Sequence, residues 1–355
     1  MVYVAGKSSE SLARELGLES VIKLGSNESP LGPSKAAIAA VENAARQMHL
    51  YPGVEAGDLR ADIAERAGVP VGSVVIGNGS SDVLLKVAAA LLRGGGEAII
   101  PEPCFSMYEV AVDWAGGSRI HVPGLDYRFD VAGIVSAITP QTRMIFLTNP
   151  NNPTGLPLSR QEIEFVLSSI NSNITVILDE AYCEYVDPGD RVDGVDFFKA
   201  GHRIVVTRTF SKIHALAGMR VGYGIAAEEL VSEITAHIPP FYSGSLGLKA
   251  ARASLWDDEH LIRSRDVNDD GRKYLTAAFT AMGLRVLPSA ANHVLIVEMA
   301  NVDAVDRLMN ERGFIGRPTG SSFGLPGGYR VTVGTAEQNR AFVTNLAAVL
   351  DSMAP

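Results

Sequence analysis

The chain has 355 residues, 46% hydrophobic, 20% charged and 7% aromatic, a balance that excludes a mainly disordered or fibrous protein. With 40 acidic residues against 31 Lys and Arg, the formal net charge is −9, a background field that repels nucleic acid and anionic membranes. Any anionic substrate must therefore be held by local cations.

The start, Met1 to Lys7, lacks the apolar core of a signal peptide, and greasy stretches such as Val83 to Leu92 are too short to cross a bilayer and contain Lys86. Cys104 and Cys183 lie 79 positions apart, thiol usage that points to a reducing, cytoplasmic setting rather than a disulfide scaffold. The seven histidines show no paired spacing of a metal site, so no metal is expected. Single cores stop growing near roughly 250 to 300 residues, and no linker or charge run divides the chain, so two interleaved lobes are predicted.

Along the chain, β-branched and apolar runs at Val74–Ile76, Ala98–Ile100, Arg119–Val122, Met144–Leu147, Val176–Leu178, Ile204–Val206 and Val221–Ile225 alternate with helical stretches such as Asp82–Leu92 and Ser159–Ile170. Runs apolar on both faces and separated by helices predict a mostly parallel seven-stranded sheet covered on both sides, in an α/β fold. Ligands of such sheets bind beyond the carboxyl ends of the strands. After Pro239-Pro240 the pattern becomes a long helical segment, Ser245 to Met282, then strands at Arg285–Leu287, His293–Glu298 and Tyr329–Val333, with helices at Asp303–Arg312 and Ala336–Ser352. This reads as a smaller α+β lobe.

Three segments bear chemistry at strand ends. Asn149-Pro150-Asn151-Asn152-Pro153-Thr154-Gly155 holds two Asn-Pro pairs that enforce a non-helical turn. Asp179 ends another strand, with Tyr182 three residues on, and Ser211-Lys212 follows a third, with Arg220 eight residues later. An isolated lysine is ordinarily a solvated loop residue, and an isolated Asn-Pro-Thr-Gly only a turn. The three are expected to share one sheet edge, and their order and spacing are specific: 27 residues from Asn152 to Asp179 and 33 from Asp179 to Lys212.

In that order, Asn-Pro-Thr-Gly, Asp-x-x-Tyr, Ser-Lys and Gly-x-Arg resemble the fold-type I pyridoxal-phosphate enzymes, and within them the class I/II aminotransferases. Tyr3 to Lys7, Lys23 to Pro33 and Phe323-Gly324-Leu325-Pro326 narrow the likeness to the histidinol-phosphate aminotransferase branch, over nearly the whole chain. The resemblance implies residues 1–45 as an N-terminal arm with part of the small domain, 46–240 as the large cofactor-binding domain and 241–355 as the small domain.

It also implies roles. Lys212 binds pyridoxal 5′-phosphate through its amine and serves as general acid and base. Asp179 keeps the ring nitrogen protonated, Tyr182 and Asn152 bind the ring hydroxyl, and Phe105 stacks on the ring, although a lone Phe is more simply read as core. Ser211 and Arg220 hold the phosphate together with Ser80 and Ser81, which follow the Gly77-Asn78-Gly79 turn and open a helix. Tyr51 reaches the phosphate of the neighbouring subunit, so the resemblance implies a homodimer with shared sites. Arg330 matches the family's carboxylate arginine, suited by its planar fork. Tyr3 and Arg317 match the residues that hold a substrate's distal phosphate, and Asn27, within the branch's arm motif, and Asn152 are taken with Arg330 as further substrate-binding residues.

Two departures fall near the substrate: Lys212-Ile213-His214 and Pro240-Phe241-Tyr242 replace the branch's usual Lys-Ala-Phe and Pro-Phe-Asn. His214 reads as a packing residue rather than a catalyst. The leading expectation is transfer of an amino group from histidinol phosphate or an aromatic amino acid to 2-oxoglutarate. An aromatic aminotransferase without histidinol-phosphate activity and a same-fold amino acid decarboxylase are the alternatives. A regulator built on this fold needs a fused DNA-binding domain, and no basic helix-turn-helix precedes Tyr3.

Overall fold

The computed structural model describes residues 8–53, 56–236 and 238–353. Seven strands form the larger sheet: β1 (Val74–Gly77), β2 (Glu97–Pro101), β3 (Ser118–Val122), β4 (Thr142–Thr148), β5 (Thr175–Asp179), β6 (Ile204–Thr209) and β7 (Gly222–Ile225). Their order across the sheet is β1-β7-β6-β5-β4-β2-β3, and every pairing is parallel except those of β7. The mostly parallel sheet of seven strands is thus present, each strand within a few residues of its predicted run.

Every residue of β5 and β6 is buried, as expected of strands covered on both faces. Helix Ser80–Leu91 turns Val83, Leu84, Val87 and Ala88 inward, and helix Arg160–Ser169 turns Ile163, Val166 and Leu167, opened by a capping box of Ser159 and Glu162.

A second core gathers Leu275, Phe279, Val294, Val331, Phe342 and Leu346 beneath a four-stranded antiparallel sheet, ordered Arg317–Pro318, Tyr329–Thr332, His293–Val297 and Arg285–Val286. The strand Ile22–Lys23 pairs in parallel with Phe314–Ile315, and Leu24 O accepts the Thr332 amide at 2.7 Å. These bonds bind residues 22 to 28 to the smaller lobe.

The predicted helix Ser245 to Met282 is two helices, Ser245–Leu255 and Asp258–Ala281. Asp257 breaks it by accepting the His260 amide at 3.1 Å as an N-cap, and Asp258 and Glu259 supply the acidic first turn that such a start favours. Ala250, Ala251 and Leu255 of the first piece, and Ala37 of helix Lys35–Ala45, enter the larger core. Alanines let helices approach closely, which is why these two pack face to face.

A buried ion pair ties β5 to β6 one residue from the sheet edge that matters. Glu180, with no exposed surface, accepts from Arg208 Nε at 2.9 Å and Nη2 at 2.7 Å, and from the Gly194 amide at 2.6 Å; Arg208 also reaches Asp193 at 2.6 Å. Breaking one partner of such a group leaves a buried charge uncompensated, at about 3–5 kcal/mol. Arg208→Ala should lower the urea unfolding free energy by that amount, while an exposed control such as Arg307→Ala should change it by less than about 0.5 kcal/mol.

Candidate active site

β4, β5 and β6 run parallel and end at Thr148, Asp179 and Thr209, so the loops that follow all leave from one edge of the sheet. Over that edge lies a cavity of about 260 Å³ between the lobes. Register sets Thr148, Asp179 and Thr207 side by side.

Asp179 is 2% exposed. Thr207 donates to its Oδ1 at 3.1 Å and the Tyr108 hydroxyl to its Oδ2 at 3.0 Å. Tyr108 gives its one hydrogen to Asp179, so Thr148, 2.6 Å from the same oxygen, donates to Tyr108. Burial pushes the Asp179 carboxyl above its usual range, against the two hydroxyl donors, the Ala181 amide and the charge of Lys212. Burial and the Asp179 charge push the Tyr108 phenol far up, which keeps it a donor.

Lys212 is half-buried across the cavity, its Nζ 3.3 Å from Ser26 O and 5.7 Å from the centre of the Tyr182 ring. Burial first, then the positive charges of Arg330 and Arg220, lower its pKa from 10.5 to about 8, despite Glu28 and Asp179. An amine so placed is uncharged far more often near neutrality than a surface lysine, which suits both a nucleophile and a proton carrier.

Arg220 sits in left-handed backbone at φ 54° after the Lys212 loop, with Nη1 3.3 Å from Ser211 Oγ and Nη2 3.4 Å from Asn78 O. Two glycines let it come so close to the opening turn of helix Ser80–Leu91. Gly79 has φ 92°, and a Cβ there would strike the Arg220 guanidinium; one at Gly222 would strike the Ser80 amide. Guanidinium, three serine hydroxyls and the free amides of a helix start make an anion cradle. Ser80, Ser81 and Ser211 all line the cavity, as does the half-buried ring of Phe105.

The smaller lobe brings Arg330, which donates to Asn152 Oδ1 at 2.6 Å and to Gly25 O at 2.7 Å, with Phe323 beneath its guanidinium at 5.4 Å. Arg317 lines the same cavity and donates to Ser322 Oγ at 2.7 Å. Asn27 donates to the Tyr182 oxygen at 2.9 Å.

Twelve residues singled out from sequence thus meet in one cavity: Lys212, Asp179, Tyr182, Asn152, Ser80 and Ser81, with Phe105, Ser211, Arg220, Asn27, Arg317 and Arg330. Tyr51 does not join them in this chain. It is 82% exposed and stacks on Phe241 at 4.6 Å. Tyr3 lies outside the described residues. His214 is buried against Phe210 with Nδ1 2.8 Å from Ser254 Oγ, and burial takes its pKa to about 3, so it stays neutral away from the cavity. Tyr242 likewise points elsewhere, donating to Asp82 at 2.9 Å.

Sequence reasoning did not assign Tyr108, Thr148, Thr207 or Phe323. The signal available for the threonines was a hydroxyl inside otherwise apolar strands, and for Tyr108 its place three residues after Phe105.

The profile of the family "aminotransferase class I and II" matches residues 19–346. A histidinol-phosphate aminotransferase of Moorella thermoacetica is 39% identical over 349 residues, covering 98% of this chain and 90% of the relative. Another, from Nitrosococcus oceani, is 39% identical over 98% of this chain and 94% of its own. The crystal structure of histidinol-phosphate aminotransferase from Sinorhizobium meliloti in complex with pyridoxal-5′-phosphate superposes with a TM-score of 0.90 at 26% identity, over 99% of this chain and 96% of that one. The donor set of the cavity suits that cofactor: an amine of lowered basicity, a deeply buried carboxylate, an aromatic face and a guanidinium at a helix start. With family, fold and donor set in agreement, the chain belongs to the class I and II aminotransferases and uses pyridoxal 5′-phosphate.

Proposed function

We propose that this aminotransferase takes histidinol phosphate as amino donor and 2-oxoglutarate as acceptor, in histidine biosynthesis. The observation that carries this reading is the gathering of three arginines in one cavity, each held by different partners: Arg220 at the helix start, Arg330 on Asn152 and Arg317 on Ser322. Four anionic groups need holding in the two half-reactions: the cofactor phosphate, the acceptor's two carboxylates and the donor's phosphate. Donor and acceptor occupy the cavity in turn, so the donor's phosphate and the acceptor's distal carboxylate share one arginine and three arginines suffice. The names of the relatives support the same donor.

When bound, pyridoxal phosphate supplies an aldehyde that captures amines and a ring that takes up the electrons of a broken C–H bond. Lys212 Nζ would hold the cofactor at rest, then take the proton from the amine-bearing carbon of the donor and deliver it to the former aldehyde carbon of the cofactor. Asp179, oriented by Tyr108 and Thr207, would hold the ring nitrogen and keep a proton there. Tyr182 and Asn152 would hold the ring hydroxyl, and Phe105 would pack against the ring. Ser80, Ser81, Ser211 and Arg220 hold the phosphate. Arg330 takes the α-carboxylate of 2-oxoglutarate, while Arg317 and Tyr3 take the donor's phosphate and, in the other half-reaction, the acceptor's distal carboxylate; Asn27 lines the same cavity.

The active unit in this reading is a homodimer, with Tyr51 completing the phosphate site of a second copy. Its support is an apolar surface around that tyrosine: Met48 is 67% exposed and Leu50 56%, beside the Tyr51–Phe241 stack. Both cysteines are free and buried, in keeping with a cytoplasmic setting.

Two measurements bear on these roles. In the cofactor-free protein only the uncharged Lys212 amine attacks, so the rate of cofactor uptake should rise with pH through about 8 and then level. Arg330→Leu removes a positive neighbour and should move that rise to higher pH; stopped-flow absorbance reads both, and a wild-type rise centred at the ordinary lysine value of 10.5 would refute the lowered amine. For substrate choice, a charge-assisted contact to phosphate is worth about 1.5–3 kcal/mol, so Arg317→Ala should cut kcat/KM for histidinol phosphate by one to two orders of magnitude. Phenylalanine should lose much less. Equal losses for the two donors would place the donor's phosphate elsewhere.

A further inference from the structure

His293 lies in the strand His293–Val297, has no exposed surface, and holds none of the roles above. Its Nδ1 stands 3.1 Å from Asn27 Nδ2, and its ring meets Tyr182 edge-on with centroids 5.4 Å apart. An amide nitrogen can only donate, so Nδ1 accepts and the ring proton sits on Nε2. The same amide gives its other hydrogen to the Tyr182 oxygen at 2.9 Å. On that side Tyr182 is an acceptor, and its own hydrogen is donated away from Asn27.

Thr332 engages the other end of the amide. Its Oγ1 receives the Asn27 backbone N–H at 2.9 Å and donates to Asn27 Oδ1 at 3.1 Å. Thr332 is the cross-strand partner of His293, so one register position holds both ends of the amide. Asn292 Nδ2 holds the Asn27 carbonyl at 3.0 Å, and Asn27 itself has φ 55°, a left-handed conformation that asparagine tolerates better than most residues.

We propose that His293, with Thr332, is a positioning residue that fixes which way the Asn27 amide faces, and thereby makes Tyr182 a hydrogen-bond donor toward the cavity. The reversed arrangement shows what is at stake. A ring carrying its proton on Nδ1 would require an acceptor, Asn27 would turn its oxygen to both His293 and Tyr182, and Tyr182 would spend its hydrogen on Asn27. Only a lone pair would then face the cavity. The surroundings oppose a charged ring: burial, then the positive charges of Arg330 and Lys212, hold the imidazole well below its ordinary range, against the Pro153 carbonyl. The inference rests on the reading that Tyr182 meets the ring hydroxyl of the cofactor. A donor there stabilises the oxygen as an anion, so its loss makes the neighbouring proton harder to remove.

The test uses two variants and two readouts besides turnover. His293→Asn keeps an acceptor near the place of Nδ1, and His293→Leu removes it. In wild-type cofactor-free protein, nitrogen NMR of the His293 ring should show the neutral Nε2–H form throughout about pH 6 to 9. A ring protonated on Nδ1 or on both nitrogens would overturn the proposal. In the holoenzymes, the pH midpoint of the cofactor's absorbance change should rise in His293→Leu by about half to one unit, the worth of one hydrogen bond, and stay near wild type in His293→Asn. An unchanged midpoint in a folded leucine variant overturns the proposal, as does an asparagine variant that shifts as far as leucine. If the leucine variant does not fold, the tautomer and the asparagine midpoint decide. Should wild type ignore histidinol phosphate, the donor assignment fails while these readouts stand; should the protein bind no pyridoxal phosphate, the proposal falls with it.

Discussion

A carboxylate almost sealed from water dictates the layout around it. Asp179 is 2% exposed at the end of a central strand, where an isolated negative charge costs several kcal/mol and would neutralise itself. It is held instead by hydroxyls from both flanking strands and one helix: Thr207 directly, Tyr108 directly, and Thr148 through Tyr108. Parallel pairing in register makes this possible, because Thr148, Asp179 and Thr207 are lateral neighbours whose order in the sheet cannot slip without turning the whole hydrophobic set of a strand to its other face. One residue further, Glu180 and Arg208 repeat the arrangement in structural form and anchor the same two strand ends.

The second constraint is closure by the other lobe. Residues 22 to 28 are bound to the smaller lobe by strand pairing and by Thr332, yet Ser26 O receives Lys212 and Asn27 reaches Tyr182, both from the larger one. Arg330 does the same in reverse, leaving its strand to bond Asn152. Polar side chains therefore bridge the lobes through three hydrogen bonds at the cavity. Buried bonds of this kind specify one relative placement, because each partner left unmade costs about 1–3 kcal/mol.

How much of this could be read from sequence depends on range. The seven strands were legible because parallel strands buried on both faces must be apolar throughout, and residues immediately after such strands were legible as site candidates because loops at that edge carry ligands. Twelve of the candidates converge as the motif order implies. The break at Asp257 was missed because a 3.6-residue apolar period runs through it, although the acidic run that caps a helix was visible. Tyr108, Thr207 and His293 were not legible in the same way. Each acts through a partner 28 to 266 residues away, and no local pattern distinguishes a buried hydroxyl or imidazole that orients a functional group from one that merely satisfies itself.

The overall charge of −9 and the cationic cavity are linked through Lys212. Three arginines and a lysine line a space of about 260 Å³, and such a concentration of positive charge is what draws phosphate and carboxylate ligands into a protein whose surface field repels them. The same field acts on the amine: Arg330 and Arg220 add to burial in bringing Lys212 down to about 8. Each anion that enters offsets part of that field, so it also makes the amine more basic than in the empty cavity. Ligand binding and proton affinity are thus coupled by electrostatics alone. An amine that starts near 8 can rise when the cavity fills and still exchange protons near neutrality, whereas one that started at 10.5 would be held in its charged form.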